Sequence, residues 1–246
     1  MELSALIFDV DGTLAETERD GHRPAFNAAF AEAGLGWFWG ETLYGELLTV
    51  TGGKERMLHY ARRFDPGFLE CADVRGRIAA LHGAKTRHYL ALLASGAIPL
   101  RPGVAALLME ARTAGLRLAI ATTTTPENVT PLLALTLGAE APGWFEVIGA
   151  GDIVAAKKPA PDIYLWVLER FGLPAGACLA IEDSAAGLAS ARAAGLPTLV
   201  TPCDTTREQD FSGALAVLPD LSATDLAGLR RLHATAASGF PYDLDK

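Results

Sequence analysis

Cysteine is scarce in this chain: there are three, Cys71, Cys178 and Cys203, far apart and without a C-x-x-C spacing. A disulfide framework or a thiolate metal cage is therefore not expected, and reduced thiols in a cytoplasmic protein are. Blocks of positive charge are absent as well. The chain has 21 Lys and Arg against 29 Asp and Glu, a formal net charge of −8, so it lacks the positive stripe that nucleic acid requires. No apolar run approaches the roughly 18 to 20 residues that span a bilayer, and no membrane association is expected. The first strand-like run starts almost at once, with no basic-then-apolar leader before it, so no signal peptide is expected. There is no internal repeat and no low-complexity tract.

What is present is core material, since half the residues are hydrophobic. Residues 3–10, LSALIFDV, form a short apolar run that ends at an Asp-Gly turn signal, as in a strand buried on both faces. Similar runs occupy 116–121, 145–150, 178–183 and 198–201. Helical stretches lie between them, at 102–114, 126–137, 161–171 and 185–194. Most of these open with a proline and close at or before a glycine. Strands alternating with helices predict an α/β fold, a Rossmann-like parallel sheet with helices on both faces. Residues 16–96 break the rhythm: they hold four helical patterns and no strand. The expected layout is a core of 1–15 and 97–246 carrying an inserted all-α-helical unit of 16–96. The tail from about Ala236 is polar and is expected to pack loosely.

The motif Asp9-Val10-Asp11-Gly12-Thr13 closes the first strand. In open α/β sheets ligands bind beyond the carboxyl ends of the strands. Two carboxylates two residues apart there repel each other unless they share a cation or a proton, and Mg²⁺ with oxygen ligands suits phosphate chemistry. A plain Asp-Gly turn would look the same locally. Three later features accompany it. Thr122 and Thr123 follow a strand and lead into a helix start, where hydroxyls and N–H groups either hold phosphate or simply cap. Lys158 sits in KKPAPD, where prolines stiffen the loop; its neighbour Lys157 reads as solvated surface. Glu182-Asp183-Ser184 ends another strand.

Together these residues resemble the haloacid dehalogenase-like phosphatase superfamily. DVDGT is similar to its first motif, Thr122 to its second, Lys158 to its third and Glu182-Asp183 to its fourth, in the family's order and over essentially the whole chain. The resemblance implies that Asp9 is the nucleophile, through an aspartyl-phosphate, and that Asp11 is the general acid and base. It implies that Thr122 and Lys158 hold the phosphoryl oxygens, that Mg²⁺ sits on Asp9, the Asp11 carbonyl and Asp183, with Glu182 close by, and that the helical insert is a cap. Asp11 argues against dehalogenation, since the halide-removing branch lacks a second aspartate.

In this superfamily the cap selects the substrate. Glu16, His22 and Arg23 open the insert, where they could face Asp9 or form a solvated hinge. Gly52-Gly53-Lys54 lies between two helices, as a second phosphate cradle or an ordinary turn. With FDVDGTLAETE these segments resemble the CbbY-type branch, which dephosphorylates xylulose 1,5-bisphosphate. The resemblance then implies that Lys54, Gly53 and Thr123 contact substrate. The expected partner is a small phosphorylated metabolite, and nothing in the sequence demands more than a monomer. β-Phosphoglucomutases and phosphoglycolate phosphatases share the four motifs. A non-catalytic sugar-phosphate sensor on this fold would not need both Asp9 and Asp11. The Trp37–Trp39 cluster reads as packing within the insert.

Overall fold

The structure, a computed structural model, describes residues 1–237. The expectation of a loose tail falls mostly beyond these and so outside the described residues. Six parallel strands form one sheet: β1 (Ala5–Phe8), β2 (Arg117–Ala121), β3 (Val147–Gly149), β4 (Cys178–Glu182), β5 (Thr198–Val200) and β6 (Ala216–Val217). Their order is β3-β2-β1-β4-β5-β6. Each expected strand is present, shortened at its ends. β6, two residues long, carries too little pattern to be seen in sequence.

β1 shows why this arrangement forms. Leu6 and Phe8 enter one apolar cluster and Ala5 and Ile7 enter another. A strand that is apolar at every position can be stable only with both faces covered. The covering helices are α5 (Val104–Thr113), α6 (Pro126–Leu137), α7 (Asp162–Phe171), α8 (Ala185–Ala193) and α9 (Leu226–Ala237). α9 lay outside the sequence expectation.

Between β1 and β2 the chain forms α1 (Arg23–Glu32), α2 (Glu41–Leu47), α3 (Gly53–Phe64) and α4 (Val74–Ala94), preceded by one π-helical turn, Glu18–His22. These helices enclose an apolar cluster of their own, built on Phe26, Phe30, Trp37, Trp39, Tyr44 and Met57. Trp37 and Trp39 are buried while Phe38 is 69% exposed, the alternation of an extended segment. Trp37 donates to Asp65 at 2.8 Å. None of the helices among the described residues is long and apolar enough to cross a membrane.

The strand order reverses between β1 and β4, which pair in register from Ala5–Cys178 to Phe8–Ile181. The crevice past the carboxyl ends of such a pair is the ligand position of a doubly wound sheet. Asp9 and Glu182-Asp183 are the residues at its lip.

Candidate active site

Asp9 leaves β1 nearly buried, with Lys158 Nζ 2.6 Å from its Oδ1. The same ammonium donates to Glu182 Oε1 at 2.5 Å and to the Ala121 carbonyl at 2.8 Å. All three of its hydrogens are therefore committed, and its place is fixed by β1, β2 and β4 together. Glu182 is fully buried and also accepts from the Tyr164 hydroxyl at 2.5 Å. Burial and the attraction of the two carboxylates oppose each other on Lys158, and the carboxylates win, so its pKa rises. Burial drives the Asp9 pKa well up; Lys158 opposes this, and Glu182, Asp183 and Asp11 add to it.

Asp183 accepts from the Cys203 thiol at 3.2 Å and the Thr206 hydroxyl at 3.3 Å. Burial, then Glu182, pushes its pKa up to about 7. The Asp-Gly turn and the functional motif are one object here. Gly12 has φ +81°, and a Cβ on it would lie 2.4 Å from Asp183 Oδ2, so only glycine brings the two strand ends this close.

Asp9, Glu182 and Asp183 each offer a carboxylate oxygen within 4.8 Å of the others. Three buried carboxylates around one ammonium leave an excess of negative charge, and the donors are all oxygen. The set fits a hard divalent cation such as Mg²⁺.

Asp11 does not turn its side chain into that group. Its Oδ1 accepts from Thr17 at 2.5 Å and lies 2.9 Å from His22 Nε2. His22 Nδ1 in turn lies 2.8 Å from Lys85 Nζ. The His22 ring thus stands between an ammonium on Nδ1 and the Asp11 carboxylate on Nε2. Burial works to raise the Asp11 pKa, but His22 and Thr17 overcome it and hold the carboxyl at about 2. Burial lowers Lys85 to about 8 against the pull of Asp11 and Glu18. Lys85 and Thr17 had not been singled out from the sequence. Lys85 continues the buried stripe Ile78, Leu81, Lys85, Tyr89 of α4, and a lysine on an apolar stripe was the available signal.

Two adjoining cavities open over these groups. One, of about 370 Å³, is lined by Asp9, Lys158, Asp183, Ser184 and Thr123 among others. The other, of about 50 Å³, is lined by Gly53, Lys54, His22 and Thr123 among others. Asp11, Glu18, Arg56, Gly52 and Thr123 border both. Thr122 is buried, accepts from the Thr124 N–H at 3.3 Å, and lines neither.

Two residues expected to face Asp9 are placed elsewhere. Arg23, at the start of α1 and 21% exposed, pairs with exposed Glu41 at 3.1 Å. Glu16 pairs with Arg101 at 3.0 Å. That arginine also donates to the carbonyls of Gly12, Thr201 and Pro202, tying the first-motif loop to the one after β5. Neither Glu16 nor Arg23 lines the two cavities. Sequence reading also passed over Tyr44, Glu18 and Arg56. The Tyr44 hydroxyl donates to Glu18, and Arg56 donates to Tyr44 at 3.0 Å.

The fully buried carboxylate of Glu182 rests against Gly187, where an added Cβ would stand 1.9 Å from Oε2. Gly187→Ala should therefore shift Glu182, and Lys158 with it. A displacement of that size is expected to lower kcat about 10²-fold. Phosphate release, with circular dichroism to verify the fold, measures it.

Residues 3–195 match the family model of haloacid dehalogenase-like hydrolases. The CbbY protein encoded on a plasmid of Cupriavidus necator is 57% identical over 219 residues, 89% of this chain and 86% of that one. A crystal structure of CbbY from Rhodobacter sphaeroides with phosphate superposes with a TM-score of 0.85 at 47% identity, over 92% of this chain and 99% of that one. A mutant of the same protein, in complex with xylulose 1,5-bisphosphate, matches with the same figures. The chain thus belongs to the haloacid dehalogenase-like hydrolases, in their CbbY-type branch of phosphatases.

Proposed function

We propose that the protein is a Mg²⁺-dependent sugar-phosphate phosphatase that works through an aspartyl-phosphate, with xylulose 1,5-bisphosphate as its substrate. One observation carries this reading. The cavity holding Asp9 and Lys158 adjoins a second one holding Lys54 and Gly53, as a substrate with a phosphate at each end requires. The bisphosphate held by the Rhodobacter sphaeroides protein has that form.

The Asp9 carboxylate attacks phosphorus in line, a P–O bond forms, and the bond from phosphorus to the sugar oxygen breaks. Lys158, pinned by Glu182 and the Ala121 carbonyl, stands beside the nucleophile and offsets the charge that builds on the phosphoryl oxygens. Thr123 lines the same cavity and supplies donors there. Mg²⁺ held by Asp9 and Asp183, with Glu182 alongside, would reduce the repulsion between an anionic nucleophile and an anionic substrate. Asp11 is a carboxylate in the free protein, held so by His22 and Thr17. Asp11 takes a proton from solvent before transfer and gives it to the departing sugar oxygen; as a carboxylate again it accepts a proton from the water that bonds to phosphorus, the P–O bond to Asp9 breaks, and inorganic phosphate leaves. Glu18 and Arg56 border both cavities and are suited to sugar hydroxyls, and the buried Tyr44 hydroxyl behind them holds the two together.

Residues 16–96 act as the cap over a core of 1–15 and 97–246, and closure keeps water out during transfer. Three free thiols suit a cytoplasmic setting. Steady-state kinetics with Mg²⁺ on xylulose 1,5-bisphosphate, hexose phosphates and phosphoglycolate tests the reading. The bisphosphate should show the highest kcat/KM, and Lys54→Ala should raise its KM far more than that of a monophosphate. Conversion of β-glucose 1-phosphate to the 6-phosphate at a higher kcat/KM would make the protein a mutase instead.

A further inference from the structure

Lys157, adjacent to the catalytic lysine, looks in sequence like solvated surface. In the fold its side chain is only 19% exposed. It reaches across to the insert, with Nζ 3.2 Å from Glu55 Oε1, and it pairs with Asp152 at 3.0 Å. Asp152, in the loop after β3, uses its other oxygen to hold Lys54 Nζ of α3 at 3.1 Å. One carboxylate of the core therefore bridges a core lysine and an insert lysine, and all three residues line the smaller cavity.

We propose that Asp152 occupies the place of the substrate's remote phosphate, and that this phosphate displaces it to bridge Lys54 and Lys157, binding and clamping the insert onto the core in one step. This rests on the bisphosphate reading above and adds Lys157 and Asp152 to it.

Two independent features of the cavity fit an exchanged anion. Gly52, with φ +95°, leaves room for the ammonium: a Cβ there would stand 2.8 Å from Lys157 Nζ and 2.2 Å from Glu55 Oε2. Gly52 thus admits Lys157 to the start of α3, where backbone N–H groups favour an anion. Asn128, 2% exposed and lining the same cavity, donates from Nδ2 to Thr124 Oγ1 at 3.2 Å, while its Oδ1 has no partner among the described residues. Turning the amide over lets its oxygen accept the Thr124 hydroxyl and points its NH₂ at the cavity as one more donor. The bridge it would replace is weak. Lys54 is 44% and Asp152 59% exposed, so water screens their attraction. A phosphate dianion carries twice the charge of Asp152 and more acceptor oxygens, and it wins the exchange.

The two residues should respond with opposite signs, which a purely structural latch would not show. KM is measured for xylulose 1,5-bisphosphate and for p-nitrophenyl phosphate, and each variant is judged by the ratio of the two relative to wild type. Lys157→Gln should raise that ratio about 10-fold or more, with the change in KM rather than kcat, and Lys157→Arg should restore most of it. Asp152→Asn should lower the ratio about 2- to 5-fold, since it removes the competing carboxylate. A rise in both variants, or no change in either, overturns the exchange while leaving the bisphosphate reading intact. A wild type with no preference for the bisphosphate overturns both.

Discussion

Asp9→Asn should abolish phosphate release, lowering kcat by about 10⁴-fold or more, and leave the fold intact. An amide of the same shape keeps an oxygen for Lys158, which also retains Glu182 and the Ala121 carbonyl. It has no charge with which to attack phosphorus. The structural consequence is small for a specific reason. The Asp9 carboxylate is already strained by burial and by three neighbouring acids, which is why its pKa is raised. Removing that charge relieves repulsion as well as losing an ion pair, so stability should change by no more than about 1 kcal/mol. A colorimetric phosphate assay and a thermal melt decide it. Turnover above a hundredth of wild type would show that another group takes the phosphoryl.

Lys158→Ala should cost both activity and stability. The lysine is the cation that Asp9 and Glu182 share, and its side chain is 6% exposed. Removing one member of a buried ionic cluster leaves uncompensated charge and typically costs about 3 to 5 kcal/mol. At roughly 2 to 4 °C per kcal/mol for a chain of this size, the melting midpoint should fall by about 6 to 20 °C. Added Mg²⁺ should recover part of the loss, because a divalent cation among the same carboxylates binds only the folded state. A variant that melts like wild type in the presence of EDTA would show that the cluster is not held by this lysine. The metal-free wild type should show the complementary pH effect. Asp183 stands at about 7 against an ordinary 3.8, so the folded state holds its proton more tightly than the unfolded one. That contribution to stability is complete below pH about 4 and is lost as pH rises through about 7; Mg²⁺ should flatten the slope.

Much of this molecule is written locally in its chain. The all-apolar β1 run demands a sheet covered on both faces, and the prolines and glycines around α6 and α7 mark where those helices start and stop. The strand–helix rhythm then puts Asp9, Lys158 and Glu182-Asp183 at strand ends or in the loops beyond them. Trp37 and Trp39 are legible as packing for the same reason, since burial of large aromatics follows from composition. β6 was not legible, because two residues carry no periodicity, and neither was the pairing of Arg23 with Glu41.

The direction of side chains is another matter. Nothing local tells that Asp11 turns away from Asp9 and Asp183 to meet His22 and Thr17, or that Lys85, 63 residues from His22, completes that chain. Lys157 and Lys158 are neighbours of identical chemistry. Lys158 is drawn inward by Asp9 and Glu182 and Lys157 outward to Asp152 and Glu55, in a turn closed by the Ala160 N–H on the Lys157 carbonyl that sends the two side chains apart. Sequence order thus determined which residues reach the end of the sheet. Only tertiary packing decided their partners, since charges pair by distance and burial rather than by position along the chain.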